Sequence, residues 1–119
     1  MEIKVRKHNN YSIVGVKGRI VRENQGDLRK VLEEAVSQGV KGLALDFDGV
    51  DYVDSAALGC CAAIHKLMQD RKSGALVLFG ASPNIERMWK LIRLDLVIPL
   101  YQEEKEALKR LEADASASN

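Results

Sequence analysis

Cysteine and proline are scarce in this chain, two of each among 119 residues. The cysteines, Cys60 and Cys61, are neighbours, and adjacent helical positions point about 100° apart, so neither can bridge the other. With no third cysteine to pair with and no His or Lys adjacent in sequence to lower a thiol pKa, they read as small core hydrophobes in a reducing cytoplasm. Long apolar runs are missing too. The most apolar stretch, Ala56 to Ile64, has nine residues, well short of the roughly 18 that would suggest a membrane span. The opening MEIKVRKHNN is charged and has no apolar centre, so no secretory signal is expected. Neither sign of charge dominates: 18 Lys+Arg against 17 Asp+Glu leave +1, and no global attraction to nucleic acid or an anionic membrane follows. Residues 1–22 hold six basic side chains against one acidic, but no series of interleaved aromatics turns them into a nucleic-acid platform.

What is present describes an ordinary globular domain, 46% hydrophobic and 29% charged. A chain of this length buries about two-thirds of its unfolded surface, so it folds without a metal or a disulfide. Alternation over Glu2–Lys7 and Tyr11–Gly18, with His8-Asn9-Asn10 between, predicts an antiparallel β-hairpin followed by a polar loop, Gly18 to Gln25. Leu28, Val31, Leu32, Ala35 and Val36 form one helical stripe, with Asn24 or Asp27 able to cap its start and Gly39 placed to end it. GLALDF, from Gly42 to Phe47, and ALVLF, from Ala75 to Phe79, are short apolar runs without helical period and read as buried strands. Ser55 to Arg71 reads as a helix packed on more than one side. Ser82-Pro83 starts another, with Ile85, Met88, Trp89 and Ile92 on its inward stripe. Val97–Leu100 holds Pro99 and suits an edge strand, and Glu103–Glu112 a last helix with Ala107, Leu108 and Leu111 inward. The order ββαβαβαβα implies a single α/β domain over 1–112, with helices packed on a mostly parallel central sheet that carries an N-terminal hairpin. Residues 113–119, ADASASN, read as a frayed, disordered tail.

The informative segment is Asp46-Phe47-Asp48-Gly49-Val50-Asp51-Tyr52-Val53-Asp54-Ser55, four carboxylates and no base between a buried strand and an apolar helix. Read as a loop, it lies at the carboxyl edge of a parallel sheet, where α/β domains carry their sites. Its plainest meaning is a solvated acidic turn with Asp54 capping the helix. An EF-hand counted from Asp46 would need Gly and Glu where Asp51 and Ala57 stand, so a calcium loop is excluded. LDFDGV looks like the first motif of haloacid dehalogenase phosphatases, which would make Asp46 the nucleophile and Asp48 the general acid on magnesium. No later GDxxxD or paired-Asp motif follows to complete that metal site.

A longer pattern starts at Val50. Val50-Asp51-Tyr52-Val53-Asp54-Ser55-Ala56-Ala57-Leu58-Gly59 resembles the signature of STAS domains, the family of bacterial anti-sigma factor antagonists (anti-anti-sigma factors). Gly18-Arg19-Ile20 resembles the family's Gly-x-Leu/Ile turn, LALDFDGV its preceding strand and loop, and ALVLFGASPNIERMWKLIRLDLVIPLYQEEKEAL its Ser-Pro helix and acidic closing helix. The likeness covers residues 2 to 112, and its order of elements is the one derived above. The chain departs from the pattern at Val21, where the family often has Asp, and at Ala57, where Gly is usual.

The resemblance implies that Ser55 is phosphorylated by a partner serine kinase that doubles as the anti-sigma factor, and that a separate phosphatase resets it. It implies a partner surface of Asp51, Asp54, Ser55, Ala56, Leu58 and Gly59, with Gly18, Ile20 and Val21 on the neighbouring turn. A phosphate at a helix start is tolerated by the backbone N–H groups and the helix dipole, so the switch would act on binding and leave the fold unchanged. Expected accordingly are a cytoplasmic regulator that is no enzyme, no cofactor, no metal, no small-molecule substrate and no nucleic acid or membrane insertion. A STAS-like accessory subunit of a lipid-transport ABC ATPase, working without phosphorylation, keeps the fold and changes the role. His8 and His65 have no Cys or His at ligand spacing, Met88 and Trp89 sit on a core stripe, and Lys66, Arg71 and Lys72 form a solvated helix end.

Overall fold

The alternating side chains of the first twenty residues form the expected antiparallel hairpin, β1 (Glu2–His8) and β2 (Tyr11–Ile20), closed by Asn9-Asn10. Asn9 takes a φ of +57°, a left-handed conformation that its short amide side chain tolerates. The computed structural model describes residues 1–117. After the hairpin come α1 (Gln25–Ser37), β3 (Gly42–Val53), α2 (Ser55–Arg71), β4 (Ala75–Phe79), α3 (Pro83–Leu91), a 3-10 turn (Leu94–Leu96), β5 (Leu100–Tyr101) and α4 (Glu104–Ala117). The strands form one sheet in the order β1-β2-β3-β4-β5, antiparallel at the first pair and parallel at the rest. Order and class are those expected from the sequence. Among the described residues no helix is long and apolar enough to cross a membrane.

GLALDF and ALVLF are continuous apolar runs because helices cover both of their faces. Leu43, Leu45, Phe47, Leu76 and Leu78 pack with Leu28 and Leu32 of α1, Cys61, Ile64 and Met68 of α2, and Ile85 and Trp89 of α3. The alternate residues Ala44, Val77 and Phe79, with Tyr11 and Ile13, meet Ala107, Leu108 and Leu111 of α4 on the other side. α2 is apolar around much of its circumference because it packs on α1 as well as on the sheet. Arg6 of β1 forms an ion pair with Glu104 at the start of α4 across that second face. Trp89 is fully buried: its ring meets Phe47 edge-on at 6.1 Å and its indole N–H donates to the Ile98 carbonyl at 3.0 Å.

Helix ends follow the local chemistry. Gly39 ends α1 with a φ of +85°. α2 ends in a Schellman motif, with Ser73 N–H donating to the Met68 carbonyl at 2.9 Å and Lys72 N–H to Gln69 at 3.1 Å. The residue in the left-handed position there is Lys72, at φ +54°. At α3, Ser82 accepts from Ile85 N–H at 3.3 Å and Pro83 fills the first turn, as the Ser-Pro pair predicts.

Several expectations change. The acidic segment up to Val53 is strand, the extension of β3, and β2 likewise runs to Ile20 where a loop from Gly18 was expected. Two register shifts against β2 explain the disguise: Gly15 and Lys17 oppose Asp46 and Gly49, and Gly18 and Arg19 oppose Val50 and Tyr52. Each shift adds a residue to β3, so its inward side chains Phe47, Val50 and Val53 recur every third position and break the strand period of two. Asn24 precedes α1 without capping it, because its side chain is engaged in the preceding turn. The edge strand expected over Val97–Leu100 shrinks to Leu100–Tyr101, and Ile92 points outward because α3 ends at Leu91. α4 continues through Ala113–Ala117, where a frayed tail was expected; Ser118 and Asn119 lie outside the described residues.

Two substitutions test these packing arguments. Trp89→Phe strands the buried Ile98 carbonyl and empties part of the Phe47 contact, so denaturant unfolding should show a loss of about 2–3 kcal/mol. Lys72→Gly relieves a left-handed side-chain conformation at a position that favours glycine, and should raise stability by about 0.5–1 kcal/mol in the same assay.

Candidate functional site

The start of α2 is built by the far ends of two parallel strands. Ile20 opposes Val53 at the last rung of the β2–β3 ladder, and both side chains are buried. Asp54 N–H then donates to the Ile20 carbonyl at 3.3 Å, which brings the chain leaving β2 against the chain entering α2. Asn24 holds the turn after β2: its side-chain oxygen accepts from Val21 N–H at 2.8 Å and its amide donates to the Arg19 carbonyl at 2.9 Å. Gly18, at φ +96°, takes the left-handed bend at the second register shift.

Asp54 ties the two chains together. One carboxylate oxygen accepts from Ala57 N–H at 3.0 Å, the N-cap bond of α2, and the other accepts from Arg22 N–H at 2.9 Å. Those two backbone donors, Ala57 foremost, hold the Asp54 carboxyl below its ordinary pKa, so it is ionised at neutral pH. Ser55 follows as the first residue of α2, exposed, and its hydroxyl makes no hydrogen bond within the described residues. Ser55, Gly59, Ala62 and Lys66 are all exposed at i, i+4, i+7 and i+11, a helix face flat enough for close approach. Arg19 lays its guanidinium over the exposed Tyr52 ring at 4.4 Å beside this edge.

The structure therefore brings Gly18, Val21, Asp54, Ser55, Ala56 and Gly59 to one end of the sheet, with exposed Asp51 on the strand leading into it. Ile20 and Leu58, expected on the partner surface, are turned into the core, Ile20 fully buried and Leu58 nearly so. Leu58 shares the inward face of α2 with Cys61, three residues on, so these two side chains back the surface without forming it. Arg22 was missed by sequence reasoning because it acts through its backbone N–H, which leaves no side-chain signature. Arg19, Tyr52 and Ala62 escaped because only the folded structure shows which way they face, whereas Lys66, read as solvated, is exposed as expected.

Asp46 and Asp48 lie elsewhere. They line a groove of about 200 Å³ beside Lys4, Arg6, Ile13 and Lys17, on the face of the sheet that α4 packs against. β3 runs on to Val53 past both, so neither carboxylate stands at the strand end that the phosphatase reading requires. Asp46 instead accepts from Asp48 N–H at 3.0 Å. Among the described residues no group of three or more His, Cys, Asp or Glu is arranged to hold a metal. Both thiols are buried and desolvation pushes their pKa up, which fits inert core residues; Cys60 sits 3.9 Å from the Gln25 carbonyl.

Asp54→Ala removes the strap and should lower the thermal midpoint at neutral pH. The folded pKa lies below the ordinary value of 3.8, so the stabilisation is full above that value and is lost as pH falls through the folded pKa. Melts of the two proteins should therefore converge on acidification, as measured by circular dichroism across the acid range.

Comparison with known proteins agrees with this architecture. Residues 2–107 match the STAS domain family. An anti-sigma-B factor antagonist of Listeria monocytogenes is 32% identical over 107 residues, covering 89% of this chain and 91% of its own. The crystal structure of an anti-sigma factor antagonist from Mycobacterium paratuberculosis superposes with a TM-score of 0.86 at 24% identity, covering 93% of each chain. The Bacillus cell fate determinant SpoIIAA in its phosphorylated form superposes with a TM-score of 0.71 at 16% identity, over 92% of this chain and 99% of that one. The chain belongs to the STAS domain family.

Proposed function

We propose that this chain is an anti-sigma factor antagonist: it binds a kinase-type anti-sigma factor through the Asp51–Gly59 edge and the turn at Val21, and phosphorylation of Ser55 releases it. The observation that carries the reading is Ser55 itself, an exposed hydroxyl at the first position of α2, with its helix start held by the ionised Asp54. Supporting it are the relative named as an anti-sigma-B factor antagonist and a similarly folded SpoIIAA structure in a phosphorylated form.

In this reading the kinase partner transfers the γ-phosphoryl group of ATP to the Ser55 oxygen, which loses its proton as the bond to ADP breaks and ADP leaves, and the chain itself turns nothing over. The added phosphate carries about −1.5 to −2 charge and follows directly on the ionised Asp54. The N-terminal N–H groups of α2 accommodate it, so the helix persists. A partner docked on the flat Ser55–Gly59 face meets both bulk and repulsion, and sigma factor competition for the anti-sigma factor shifts accordingly. A separate phosphatase restores the binding form.

The test is incubation with the cognate kinase-type anti-sigma factor and ATP, followed by phosphosite mapping and titration of the complex. Ser55 should be the modified residue, Ser55→Ala should block incorporation while keeping affinity within a few-fold, and Ser55→Asp should weaken binding by about tenfold or more. Modification at another residue, or equal binding by all three proteins, would overturn the switch.

A further inference from the structure

Leu91, Ile92, Leu96 and Val97 are exposed within seven consecutive residues, Leu91 to 81% and Leu96 to 72%. Among the described residues only three other large apolar side chains are exposed, and one of them, Tyr52, shares a groove with Met88 and Leu91. Apolar residues scattered singly are normal on a surface; a concentration at one helix end marks a docking face. The segment is anchored by its buried residues. Leu94 is buried between the exposed residues and Ile98 directly after them, Ile98 N–H donates to the Leu94 carbonyl at 2.8 Å, and the Ile98 carbonyl receives the Trp89 indole. α4 packs on the opposite face of the sheet, so it does not cover these side chains.

We propose that two copies of this chain associate through this face, about a two-fold axis. Charge selects the occupant. Arg93 and Asp95 flank Leu94 inside the patch; neither forms an ion pair within the described chain, and Asp95 acts on Lys90 only from beyond ion-pair distance, since Lys90 is bound to Glu86 at 2.9 Å. In an isologous contact Arg93 of one copy meets Asp95 of the other, and the reverse pair forms at the same time. A rim of one sign would repel its own copy and call for a partner of opposite sign, whereas this rim holds both. The net charge of +1 places no long-range barrier between copies. The interface lies on α3 and the following turn and does not depend on the reading of Ser55.

Sedimentation velocity on the isolated protein, from about 5 to about 500 µM, tests the proposal without any partner. The expected result is a concentration-dependent shift from monomer to dimer, weakened about tenfold or more by Leu91→Ser combined with Leu96→Ser, with the folded state checked by circular dichroism. Arg93→Asp alone and Asp95→Arg alone should each weaken the dimer. Mixing those two variants, or combining both changes in one chain, should restore it, because opposite charges again face each other across the axis. A monomer at every concentration, which would leave the face to a different protein, overturns the proposal. So does a dimer indifferent to the leucine changes, or charge variants that fail to rescue each other.

Discussion

The pairing of β2 with β3 carries the rest of the molecule. Their first halves are buried on both faces, and their parallel ladder continues past the apolar run of β3 into its acidic half as far as Ile20 and Val53. Two extra residues in β3 let the ladder continue there without burying a carboxylate: Val50 and Val53 still reach the core, while Asp48 and Asp51 remain exposed. The ladder therefore ends with two chain crossings side by side, the turn after β2 and the start of α2. Asp54 can accept from both only because the register aligns them.

That arrangement makes the α2 start stiff and charged. Its carboxylate satisfies one N-terminal donor of the helix and one donor of the neighbouring turn, so ionisation and local geometry support each other. The Ser55 hydroxyl is left outside this network and exposed. Beneath it, Leu58 and Cys61 lock α2 onto the core, and on the outside small residues leave the surface flat. A modification there would alter what can dock and would have little leverage on the packing.

The buried pattern was legible wherever its period was intact. The hairpin, the stripes of α1 and α3, the doubly buried strands and the Ser-Pro helix start all follow from spacing that packing then uses. The second half of β3 was not legible, because bulges moved its inward residues to every third position and four acids made it read as solvent-facing loop. The end of α4 was misread for a related reason: small polar residues from Ala113 onward have weak burial cues, yet a helix already nucleated against β3 and β4 can extend through them. Ile92 continued a helical stripe on paper and became exposed once Arg93 adopted a left-handed conformation at the end of α3.

By itself the sequence determined the class of fold, the order of its elements and the identity of the serine at the head of the apolar helix. Those depend on local periodicity, caps and motif spacing, which act over a few residues. Only the tertiary structure decided that Ile20 and Leu58 support the candidate surface from inside, that Arg22 contributes a backbone donor, and that the apolar side chains after α3 are left uncovered. Each of these depends on strand register or on where a helix stops, and both are settled by contacts between segments far apart in the chain. The near-balance of charge illustrates the division. Composition gives a net of +1, while folding sets the ionised Asp54 at the start of α2 directly before Ser55 and gives charge a place to act.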